Sequence, residues 1–141
     1  MGETFFMRKN TILLIASLFG LSLGQAFAHH SFAAEYDSNK PVTLKWTVTK
    51  MEWMNPHARF YIDVKDDDGK MVNWELELGS PNGLMRRGWT RSSLKPGDAV
   101  LIEGYAAKDG AKLANARNVT LADGRKVFAG SDETPGAKEA K

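Results

Sequence analysis

No cysteine occurs among the 141 residues, which excludes a disulfide scaffold, a thiol nucleophile, a zinc knuckle and an iron–sulfur cluster together. The apolar run from Ile12 to Leu23 is too short to act as an anchor: it has about twelve residues, where a membrane-spanning helix needs roughly 20. An excess of one charge is also missing. Lys and Arg number 19 against 17 Asp and Glu, too even a balance to attract nucleic acid by electrostatics alone. The chain contains no nucleophile elbow, no glycine-rich phosphate loop, no dinucleotide fingerprint and no internal repeat, so catalysis by its own side chains is not expected. What is present is ordinary globular material, 43% hydrophobic and 26% charged, in the size range of one domain.

Arg8 and Lys9 precede the apolar run, and Ala26, Phe27 and Ala28 follow it as a small-x-small ending. Residues 1–28 therefore read as a cleavable secretory signal peptide, cut after Ala28, which places the mature protein in the periplasm or outside the cell. Losing Arg8, Lys9 and Glu3 leaves the remainder close to neutral. Residues 29–40 read as an N-terminal arm, with Phe32 and Tyr36 able to pin it to the domain. Residues 41–128 are the folded block. Residues 129–141 carry no large apolar side chain and read as a disordered tail.

Within the block, Val42, Leu44, Trp46 and Val48 alternate with polar residues, the two-residue period of a half-buried strand. The phase then slips, because Met51 and Trp53 carry the apolar side on odd numbers. One extra residue near Thr49 and Lys50, a β-bulge, produces that slip. Phe60, Ile62 and Val64 predict a second strand and Val72, Trp74, Leu76 and Leu78 a third, joined through Asp66-Asp67-Asp68-Gly69 as a hairpin. Ser80 as cap, Pro81 at the first helical position and Gly88 as stop predict a helix over Pro81 to Arg87. Strands from Ala99 to Tyr105 and Ala114 to Leu121 follow, with a short one from Arg125 to Phe128. The expected fold is all-β with one short helix, ordered β-β-β-α-β-β(-β): an OB-like antiparallel barrel of five to six strands. Another small barrel or a two-sheet sandwich satisfies the same strand count.

Four stretches stand out: His29-His30-Ser31-Phe32, Trp53-Met54-Asn55-Pro56-His57, Trp74-Glu75-Leu76-Glu77 with Ser80-Pro81-Asn82, and Leu94-Lys95-Pro96-Gly97-Asp98. Together they resemble a family of small exported bacterial proteins, the domain of unknown function 6152, across nearly all of the mature chain. The resemblance implies export and the small β fold but no reaction, since the family has no established activity. It also implies glycine where this chain has Trp46, and a tryptophan there moves the expected bend to the bulge near Lys50.

Cleavage after Ala28 makes His29 the amino terminus, whose amine and ring nitrogen together chelate one metal ion. Nitrogen donors of this kind favour copper(II) and shed their protons near neutral pH. His30 or His57 completes such a copper site; against this stands a terminus that simply frays in solvent. His57 follows Asn55-Pro56 at a strand end, where a lone ring more often bonds a backbone carbonyl. Trp53, Asn55, His57 and Tyr61 form the candidate ligand-binding face for a protein or small-molecule partner. Phe60 and Trp74 are better explained as core. Arg86, Arg87 and Arg91 cluster at the helix end and complement its dipole. Asp66 to Asp68 fit a solvated turn and not a calcium loop, since Lys70 falls on a required ligand position. Glu75 and Glu77 read as the polar side of an exposed strand.

Overall fold

The computed structural model describes residues 31–140. The leader, His29 and His30 lie outside the described residues. One helical turn, α1 (Phe32–Glu35), precedes six strands and a second short helix: β1 (Tyr36–Glu52), β2 (Arg59–Lys65), β3 (Met71–Glu77), α2 (Pro81–Arg86), β4 (Ala99–Ala107), β5 (Leu113–Thr120) and β6 (Lys126–Phe128). The described chain is thus mostly β, and the expected element order needs one correction, the added turn α1.

The first strand is longer than its alternating pattern indicates. It begins at Tyr36, opposite Ala107 of β4, and its register shifts before regular pairing resumes at Pro41 and Tyr105. Residues 36–40, expected in the N-terminal arm, are therefore strand. The polar run Asp37 to Lys40 hid this, while the anchor is aromatic: Tyr36 is 2% exposed, and the Phe32 ring lies 5.6 Å from that of Tyr36 and 5.5 Å edge-on from that of Tyr105.

The phase slip has the expected cause. Val48 pairs with Ile62, yet Lys50 pairs with Tyr61, so Thr49 is the extra residue of a bulge. On either side of it Val48 is buried and Met51 and Trp53 pack against the core. Trp46, opposite Val100, sits in regular strand; the irregularity lies at the bulge instead. The β2–β3 hairpin closes through Asp66, whose carboxylate accepts the Lys70 N–H at 2.8 Å, with Gly69 at φ +79° supplying the left-handed position. The acidic run is a turn, as read. Ser80 caps α2 by accepting the Gly83 N–H at 3.2 Å, and Pro81 occupies the first turn.

The strands neighbour one another in the order β3-β2-β1-β4-β5-β6, all antiparallel. A parallel seam, Glu75 to Glu77 against Leu113 to Asn115, additionally joins β3 to β5 and brings the pairings round into a ring. Phe60, Ile62, Leu76, Leu84 and Ile102 are fully buried within it. Where β4 crosses β5 the backbones come too close for a side chain: a Cβ on Gly104 would sit 2.1 Å from the Asn115 carbonyl oxygen.

The last segment corrects the expectation of a disordered tail. Ala129, Thr134 and Ala137 are buried, Thr134 Oγ1 donates to Asn115 Oδ1 at 3.0 Å, and Arg87 pairs with Asp132 at 2.7 Å. Packing here uses small and polar side chains, so the absence of large apolar residues was no sign of disorder.

Candidate functional site

The loop between β1 and β2 and the helix α2 converge. Trp53, Met54 and Asn55 from the loop meet Pro81, Met85, Trp89 and Arg91, from α2 and the turn beyond it, around a cleft of about 350 Å³. Trp89 is buried and fixed by its indole N–H, which donates to the Phe128 carbonyl at 2.9 Å. Met54 and Met85 stand 51% and 52% exposed at the opening. Aromatic and thioether side chains in a concave setting with a few polar groups make a usual small-ligand or partner surface.

The four residues expected to share one face do not all meet. Trp53 and Asn55 line this cleft. His57 turns away: its Nδ1–H donates to the Leu78 carbonyl at 3.0 Å, and the same nitrogen lies 3.9 Å from Glu77 Oε1. The carbonyl can only accept, so Nδ1 carries a proton, and Nε2 is the nitrogen that holds the lone pair whenever the ring is neutral. Tyr61 belongs to a third environment, where its hydroxyl donates to Glu52 Oε2 at 3.0 Å beneath the Lys50 ammonium. Lys50 pairs with the same carboxylate, and its hydrogen bond, ahead of that from Tyr61, holds Glu52 below the usual carboxylate range.

Sequence reasoning missed the polar group at the end of β3. Glu77, expected on an exposed face, is 9% exposed. Burial raises its carboxyl above the ordinary value, opposed first by His57 and then by Arg59, while Glu35 adds to the rise. Arg59 Nη2 stands 3.8 Å from Glu77 Oε2 and Arg59 Nε 3.1 Å from Glu75 Oε1. The buried Tyr36 hydroxyl faces Glu77 without a partner in good hydrogen-bonding geometry. Its own titration is pushed far up, by burial first and then by the Glu77 charge. The only available signal was that Arg59 and Glu77 pair directly across the hairpin.

The three arginines also separate. Arg91 borders the first cleft, while Arg86 and Arg87 border a second of about 580 Å³ with Lys126 and Phe128; Arg87 lies 4.9 Å over the Phe128 ring. Trp74, expected in the core, packs half-buried against it, with the Lys112 ammonium 5.3 Å from its ring. Among the described residues no three His, Cys, Asp or Glu side chains gather as a metal site, and of the expected copper ligands only His57 belongs to them. No helix among the described residues is long and apolar enough to cross a membrane.

Residues 18–116 match the Family of unknown function (DUF6152), and the chain belongs to that family. No curated protein and no solved structure matches it.

Proposed function

We propose that the chain is an exported binding module of the OB type, periplasmic or secreted, without catalytic activity of its own, and that its ligand enters the cleft framed by Trp53 and Met85. The OB reading is supported by the ring of pairings and by the helix between the third and fourth strands. Folds of this type use the loop after the first strand for ligands, the loop that carries Trp53, Met54 and Asn55. The observation that carries the reading is the cleft itself: two exposed methionines from separate elements beside one fixed indole. Anilinonaphthalene sulfonate, an apolar fluorescent probe, tests it. Its fluorescence rises with the wild type and fails to rise with Met85→Glu; equal signals from both proteins refute this location.

His57 supports a second reading, in which copper(II) is held by the mature His29 terminus with His30 or His57. Donation from Nδ1 to a backbone carbonyl leaves Nε2 as the free donor, the arrangement that orients ligating imidazoles. Native mass spectrometry of exported protein reports both the first residue and the copper retained against a chelator. A first residue other than His29 removes this reading.

A further inference from the structure

Among the described residues, every exposed large hydrophobic side chain is a methionine: Met54, Met71 and Met85. If these positions required only apolar surface, leucine or isoleucine would serve as well. Two of the three, Met54 and Met85, come from different elements yet border one cleft, and that cleft also holds Trp53 and Trp89. Thioether sulfur is a soft donor, matched to monovalent copper and silver and poorly matched to magnesium or calcium. An indole face adds attraction for a cation placed against it. Cysteine, the stronger soft donor, is absent from the chain, so methionine is the soft donor available.

Resting on the reading that this cleft is the binding site, we infer that Met54 and Met85 bind a soft monovalent metal ion, Cu(I) or its silver analogue, with the indoles of Trp53 and Trp89 beside it. Donor chemistry separates this site from the histidine site. Imidazole and amine must lose protons before binding, whereas a thioether carries none, so binding here persists at about pH 5, where histidine is mostly charged. Arg91 on the rim opposes a cation and would favour an anion, which makes its removal informative in sign.

The test titrates the full-length protein with Ag(I) in chloride-free buffer, following tryptophan fluorescence, with native mass spectrometry for stoichiometry. One silver ion binds per chain. Met54→Leu and Met85→Leu each weaken binding by about tenfold or more, Met71→Leu leaves it unchanged, and Arg91→Ala tightens it; about tenfold corresponds to losing one modest donor bond. Leucine preserves the apolar character of the cleft, so both leucine variants still enhance the naphthalene probe. If silver binds the Met54→Leu, Met85→Leu double variant as it binds the wild type, or is lost at about pH 5, the metal assignment falls while probe binding keeps the cleft reading. If the probe ignores Met85→Glu as well, the cleft reading falls with it.

Discussion

His57 is tied to Leu78: its ring Nδ1–H donates to the Leu78 carbonyl at 3.0 Å. Beside that bond the Leu78 N–H donates to Ala58 and the Ala58 N–H to Gly79, at 2.8 and 3.0 Å. The ring thus adds a third strap to a corner already held by two backbone bonds, and the exit of β3 is locked to the entry of β2. Replacing His57 by alanine removes that strap, at a cost of about 1 kcal/mol. Urea denaturation should show a lower midpoint with an unchanged slope. An unaltered midpoint would mean that the ring contributes nothing to the corner.

Glu77 makes stability depend on pH with a definite sign. Its folded carboxyl is raised by burial, so the native state holds that proton more tightly than the unfolded chain. The contribution is present in full below the unfolded carboxyl range, about pH 4.3, and is lost as pH rises through the folded value. His57, Arg59, Glu35 and Tyr36 face it. The difference in stability between wild type and Glu77→Gln should therefore shift against the wild type as pH rises from about 4 to 7. Parallel curves from thermal unfolding at several pH values would contradict this.

Thr134 reaches back from the last segment to the buried amide of Asn115 on β5. Thr134→Val keeps the shape but leaves that amide oxygen without its donor, a loss of about 1 to 3 kcal/mol. Calorimetry should register a lower unfolding temperature. The same temperature in both proteins would mean the segment is not docked in solution.

Gly104 has no room for a methyl group, since the Asn115 carbonyl oxygen stands 2.1 Å from where a Cβ would be. The oxygen belongs to backbone and a Cβ is fixed by the backbone that carries it, so neither yields by a rotamer change. Gly104→Ala should destabilise by about 3 kcal/mol or more, at or beyond the upper end for overpacking. Gly88, at φ +88° with open space around it, gives a comparison in which conformation alone, not crowding, opposes alanine.

What could be read from the residues alone was local. The hairpin turn, the capped helix and the slip near Thr49 each depend on neighbours within a few positions, and each carries its own chemical mark. The missed features depend on segments far apart in the chain. Tyr36 enters the sheet because Ala107 is there to pair with it, and Glu77 is buried because β5 closes over the end of β3. Thr134 has a reason to be ordered only once Asn115 is in place. The candidate site divided along the same line: Trp53 and Asn55 could be singled out on their loop, but nothing in the sequence placed Met85 and Trp89 opposite them. Likewise nothing turned His57 and Tyr61 to other surroundings.

The unpaired Thr49 also works as a parity switch. Upstream of it the even-numbered side chains point inward; downstream, Met51 and Trp53 do. Were β1 to run through Thr49 without the bulge, the rest of the strand would turn by half a step, sending the indole of Trp53 to the opposite side and Glu52 toward the interior; deleting Thr49 would instead leave plain alternation with Met51 and Trp53 still inward. Which way the loop's aromatic group looks is thus set by a count of one, several residues before the loop begins.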